Sequence, residues 1–204
     1  MTTNSTRSRL LATARELLAR GGSPSVGLTE LSKASGVSNG SIYHHFGSKD
    51  GVLAAVLIDA VSIYQQEAKA LLDQHRDDLE AAVGAIVRHR LFWARCNAPL
   101  ARLLLEEREF VLAPAWRDQL KALNDEFRAH SRQWLDHQTA LGNLPAIPIS
   151  LAHPIVFAPA EEIARLWLRG QLEGDPIEFA APLADAAVAG LRAMASHSNR
   201  TDQW

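Results

Sequence analysis

Nowhere along the 204 residues do apolar and polar side chains alternate for the length of a β-strand, and this constrains the fold more than any other feature. Apolar residues recur instead at spacings of three and four. Leu10, Leu11, Ala14, Leu17 and Leu18 do so before Gly21-Gly22 stops the run. Leu28–Ser35 is a short helical stretch ended by Gly36, and Ser38 is placed to cap another that ends at Phe46. Ser48 opens a long segment to about Gln74. Asp77–Asn97 follows, then Pro99 to near Phe110, then Trp116–Leu141 with Leu120, Leu123, Phe127, Trp134 and Leu141 on one stripe. Gly142–Pro154 reads as a proline-rich connection. Pro159–Gly170 and Phe179–Ser196 complete the set, joined by a turn at Gly174-Asp175-Pro176. The expectation is an all-α chain of about nine helices, frayed after His197.

Composition narrows the class. Apolar residues make up 47% and charged residues 22%, which excludes a disordered tail or a coiled-coil rod. The lone Cys96 excludes a disulfide within the chain and a cysteine zinc site, and fits a reducing cytoplasm. Met1–Leu10 lacks an apolar signal core. The uncharged run Gln138–Ala160 is long enough to span a bilayer, but it holds Pro145, Pro148, Pro154 and Pro159, so no membrane segment is expected. Lys and Arg total 21 and Asp and Glu 23; residues 1–50 hold six and three of these, leaving 15 and 20. A head of net +3 on a body of net −5 suggests that the head meets an anion.

Leu28–Lys49, LTELSKASGVSNGSIYHHFGSK, carries the function. Two short helices flank a tight turn at Gly36-Val37-Ser38. Leu31, Val37 and Ile42 have the spacing to close a small core between them, and Ser32 and Ser35 are small enough for the helices to cross closely. This is helix-turn-helix logic, in which the first helix steadies the second and the second enters the major groove. Ser38, Asn39, Ser41, Tyr43, His44 and His45 are short or planar hydrogen-bonding groups, where a solvated helix face would carry Lys, Glu and Gln.

The stretch from about Arg7 to Leu57, with LLATARELLARGG and then LTELSKASGVSNGSIYHHFGSKDGVL, resembles the DNA-binding domain of the TetR/AcrR family of bacterial transcriptional regulators. It covers about a quarter of the chain. PAEEIARLWLRG, nearer the C-terminus, is similar to a segment of many members. The resemblance implies a DNA-binding domain over residues 1–47 and a domain for effector binding and dimerisation over 48–204. It places Ser38, Asn39, Gly40 and Ser41 at the N-terminal end of the recognition helix. Tyr43 and His44 lie along its DNA face, Tyr43 on a phosphate, with His45 a further contact. It gives Lys49 a phosphate at the start of the fourth helix. The second helix touches the backbone near its start. There Gly27 stands where a hydroxyl residue is common, so Thr29 or Ser25 substitutes. Asn39 stands where a basic residue is common, which implies fewer ionic contacts.

Other readings are weaker. Gly36–Gly40 matches G-x-S-x-G, but a nucleophile elbow follows a strand and this one follows a helix, so no enzyme is expected. His89, His130 and His137 lack carboxylates at ligand spacing, and Glu106, Glu107 and Glu109 read as a solvated face; no metal and no cofactor are expected. The alternative in another class is an all-helical ligand carrier or scaffold, which leaves Tyr43–His45 without a purpose. The expected function is a cytoplasmic repressor that a small apolar or amphipathic effector releases from palindromic double-stranded DNA. Aromatic and polar groups together suggest Trp93, Asn97, Phe127, Ser131 and Trp134 as pocket-lining, with Asn124 and His130 beside them. For the homodimer, the apolar and small residues of the last two helices suggest a four-helix bundle through Ile163, Leu166, Trp167, Leu183, Ala184, Ala187 and Leu191.

Overall fold

A computed structural model describes residues 3–106 and 114–194. Among the described residues there are nine α-helices and no strands: α1 (Thr3–Gly21), α2 (Leu28–Ser35), α3 (Asn39–Phe46), α4 (Lys49–Gln74), α5 (Leu79–Cys96), α6 (Ala98–Leu105), α7 (Pro114–Ala140), α8 (Ile149–Leu168) and α9 (Ala180–Ala193). Single 3-10 turns at Ser23–Ser25 and Pro176–Phe179 precede α2 and α9. Glu107, Glu109, Phe110, Ser196 and His197 lie outside the described residues. No described helix is long and apolar enough to cross a membrane.

The chain packs as two compact units. The first runs to Ile63 and takes in Asn97–Leu123; the second comprises Tyr64–Cys96 and the residues from Asn124 onward. In the first, α2 lies against α1 and α3. Leu10, Ala14, Leu31 and Ile42 are fully buried, with Leu18, Val26, Val37 and Phe46 close behind. In the second, α5, α8 and α9 pack against one another. The apolar stripe of α5, Leu79, Ala82, Val83, Ile86, Val87 and Leu91, is buried along its length. Alanines on the facing helices (Ala160 and Ala164 on α8; Ala180, Ala184 and Ala187 on α9) are buried too, and their small size lets backbones approach.

One element overturns the sequence reading. Gly142–Pro154 is not a connection throughout, because α8 begins at Ile149 and continues through both Pro154 and Pro159. Each proline lacks the N–H that would bond one turn back. The helix survives because Ala152, Phe157, Ala160, Ala164 and Leu168 are all buried along it, and that packing outweighs two missing hydrogen bonds.

Candidate functional site

The first unit presents a helix-turn-helix whose geometry follows from a few short side chains. Gly36 adopts the left-handed conformation (φ 68°, ψ 16°) and its N–H donates to Ser32 O at 2.9 Å, closing α2. Ser35 Oγ donates to Leu31 O at 2.6 Å and accepts from Val37 N at 3.2 Å, which wires the turn. Ser38 is extended and its Oγ accepts from Ser41 N at 3.3 Å, capping α3. Leu31, Val37 and Ile42 are buried together. Opposite them, Asn39, Gly40, Tyr43 and His44 are exposed, Tyr43 to 64%. Ser41 and His45 are half-buried, and the His45 ring lies 6.0 Å from that of Phe46.

The joint from α3 to α4 is tighter. Ser48 Oγ accepts from Gly51 N at 3.0 Å and caps α4. Lys49 then occupies the first position of the helix, where the unpaired N–H groups already favour an anion. A Cβ on Gly51 would lie 1.8 Å from the Phe46 carbonyl oxygen, so the first turn of α4 rests directly on the end of α3. The Arg7 guanidinium sits 5.8 Å from the Phe46 ring, and Arg15 of α1 pairs with Asp59 of α4. Thr29 is exposed at the start of α2. Ser25 is not available for that role, because its hydroxyl lies 2.6 Å from Leu17 O and 2.7 Å from Gly22 O, tied to the end of α1.

The second unit holds a pocket with about 410 Å³ of free space, its open mouth included. Leu72 of α4, Val83 and Ile86 of α5, Ser131, Trp134 and Leu135 of α7, and Ile149, Ala152, His153, Val156 and Phe157 of α8 line it. Ser131 Oγ donates to Phe127 O at 2.9 Å. His153 stacks on Phe157 with ring centres 4.5 Å apart, and Phe127 meets both rings edge-on. Burial holds the His153 imidazole below its ordinary range, partly offset by the Glu161 carboxylate, so it is neutral at pH 7.

Residues 10–56 match the sequence profile of the TetR family of bacterial regulatory proteins. The chain is 28% identical over 181 residues to the HTH-type transcriptional regulator BetI of Burkholderia ambifaria, covering 87% of this chain and 88% of that one. The N-terminal region thus matches the TetR family, and the whole chain is similar to its regulators. Its fold is similar to that of the transcriptional regulator FadR from Bacillus subtilis, solved in complex with stearoyl-CoA (TM-score 0.74, 15% identity, 90% of this chain and 98% of that one). It is also similar to the TetR-family regulator PfmR from Thermus thermophilus (TM-score 0.64, 23% identity, 90% and 98%).

Helix α3 is the second helix of the helix-turn-helix, and the expected DNA-side residues Ser38, Asn39, Gly40, Tyr43 and His44 share its exposed side. Gly51 was not singled out by the sequence reading, although a glycine in the first turn of a helix already signals a close approach. In the second unit, Ser131 and Trp134 line the pocket and Phe127 buttresses it. Trp93 does not reach it: its ring packs at 5.5 Å from Tyr64 and under the Arg90 guanidinium. Asn97 stands at the N-cap position of α6, without a side-chain capping bond, in the other unit. His153 and Phe157 were missed because the prolines disguised their helix. His130 and His137 each meet a carboxylate, Asp73 at 2.9 Å and Asp77 at 2.6 Å, and among the described residues no group of three metal-ligating side chains converges. Of the dimer candidates, Ile163, Leu166, Trp167 and Leu183 are half-buried. Ala184, Ala187 and Leu191 are buried within the chain itself, on the side of α9 that serves its own core.

Proposed function

We propose that this regulator is a homodimeric repressor that binds a palindromic operator through α3 and leaves it when a small apolar or amphipathic effector fills the pocket of the second unit. The functional division falls at residues 47 and 48, with the DNA reader before it and effector binding and dimerisation after it. The carrying observation is the side of α3 opposite Ile42 and Phe46, which offers hydrogen-bonding groups to a groove about 12 Å wide. Ser38, Asn39, Gly40 and Ser41 meet base edges or backbone at its N-terminal end, Tyr43 and His44 continue along it, and His45 adds a contact at the far end. Thr29 and Lys49 hold phosphates from either flank. Nothing in this machinery calls for catalysis, and it works in the cytoplasm, where its operator lies.

One helix reads only a few base pairs, so two copies must be held one helical turn apart, ~34–36 Å. Opposite its buried face, α9 exposes Pro182, Ala186, Ala189 and Ala193, and α8, which packs on α9, leaves Ile163, Leu166 and Trp167 half-exposed. These small and apolar residues support pairing with a second copy, with Leu183 at the margin. Effector binding shifts a population between two states and works only by its differential affinity for them. Helix α4 contains both the lining residue Leu72 and the Lys49–Gly51 joint, which makes it the carrier of the shift. Selection of bound fragments from fragmented genomic DNA, followed by footprinting, tests the reading. A protected palindrome is expected; retention of DNA without sequence preference would overturn it.

A further inference from the structure

The pocket carries chemical information beyond its presence. Its lining includes no Lys, Arg, Asp or Glu, so nothing there neutralises a charged ligand. It is not purely greasy either. His153, half-buried, places its imidazole on the lining beside Phe127 and Phe157. Trp134 is 8% exposed, and its Nε1 is buried with no acceptor. Buried polar groups are seldom left unpaired in native proteins, so the Trp134 N–H on this lining needs an explanation.

We propose that the effector is an uncharged, largely apolar molecule with one hydrogen-bonding head, a hydroxyl or ketone oxygen, received by His153. This rests on reading the pocket as the effector site. A neutral imidazole offers one donor and one acceptor, which suits a hydroxyl or a carbonyl; it brings no charge to neutralise a carboxylate and offers no counter-charge to a quaternary ammonium. The charged groups facing His153 are Glu161, Arg128 and Arg90; Glu161 is taken by Arg90 at 2.8 Å, and Arg128 pairs with Asp125 at 3.8 Å. No anchoring charge is therefore left over for the ligand. Phe127 and Phe157 flank the imidazole and fix its plane. Trp134 Nε1 supplies a second donor to an oxygen that enters deeply enough. The remaining lining, Val83, Ile86 and Val156 among it, takes a hydrocarbon body.

The test uses four probes with one chain length and different heads: 1-octanol, 2-octanone, octanoate and octyltrimethylammonium. Each is titrated calorimetrically into the full chain at pH 7.5. The alcohol and the ketone should bind about tenfold or more tightly than either charged probe. His153→Phe, which keeps a ring and removes both nitrogens, should weaken octanol about tenfold, whereas His153→Gln, which keeps a donor and an acceptor, should weaken it less. If His153→Phe fails to fold by circular dichroism, the head-group series on the unaltered chain still decides. A charged probe that binds as tightly as octanol overturns the ligand class and leaves the pocket standing. Val156→Trp, which fills the space, should abolish octanol binding. Undiminished binding there, or no binding by any of the four probes, overturns the effector pocket and the ligand class together.

Discussion

Gly51 shows how much one hydrogen atom in place of a methyl group can decide. The atom its Cβ would strike, the Phe46 carbonyl oxygen, belongs to the backbone and cannot rotate aside. Gly51→Ala must therefore push α4 away from the end of α3. The expected cost is about 1–3 kcal/mol of stability in a urea melt. Operator affinity should fall with it, because α3 loses its support. Lys49→Ala tests a different kind of residue. It should weaken binding to operator and random DNA alike and lower the slope of log affinity against log salt by about one. Two histidines set the response to acid. Burial holds both His89 and His153 below the ordinary imidazole value of 6.5. The unfolded chain takes up protons near that value and the folded chain does so only at lower pH, so protonation favours unfolding. Thermal stability should be flat above about pH 7, fall as the pH drops below about 6.5, and level off once the folded-state values are passed. The double variant His89→Gln, His153→Phe should shrink the loss measured by circular dichroism melts between pH 7 and 5.5.

At the scale of helices, legibility in the sequence depended on whether local chemistry or distant packing made the element. The turn from α2 to α3 was readable because everything that builds it is local: Gly36 for the left-handed residue, Ser38 for the cap, and Leu31, Val37 and Ile42 for the core. Helix α8 was not readable. Pro154 and Pro159 are strong local signals against a helix, and what overrules them is burial against α5 and α9, more than sixty residues away for Ile86 and its neighbours. The same cause hid His153 and Phe157, and with them half of the pocket. Helix α9 was legible as a helix but not in its facing. Its alanines run all round, so periodicity alone could not say which of them serve the chain's own core. Pro159 gives a direct check. It is exposed, and its ring denies Ile155 O a helical hydrogen bond. Pro159→Ala should raise stability by about 1–3 kcal/mol, the helix-interior penalty of proline less the stiffness it gives the unfolded chain. A drop in the denaturation midpoint would show instead that α8 needs the bend.

For the assembled molecule the expected consequences separate two faces of one helix. Ala187→Glu places a charge in the subunit's own core and should lower the melting temperature steeply whatever the oligomeric state. Ala186→Arg and Ala189→Arg lie on the exposed side and should leave the fold intact. If that side joins two copies, the double variant is a folded monomer by light scattering, with operator affinity reduced at least as far as losing one half-site requires. A stable dimer in the double variant places the interface elsewhere.

The side of α3 that faces outward carries serine, asparagine, tyrosine and histidine and not one lysine or arginine. Every phosphate that a cation neutralises releases counterions, and this release supplies nearly all of a regulator's hold on random DNA. A recognition helix without fixed cations leaves that hold to the few arginines and lysines around it. If α3 is the reading helix, such a protein should spend less time sliding on the wrong sequence and more time free in solution. A genome offers millions of decoy sites, and for a scarce regulator weak attachment to all of them is an asset. Fewer copies are sequestered, and the fraction of operators occupied responds to effector concentration and not to how much chromosome the cell contains.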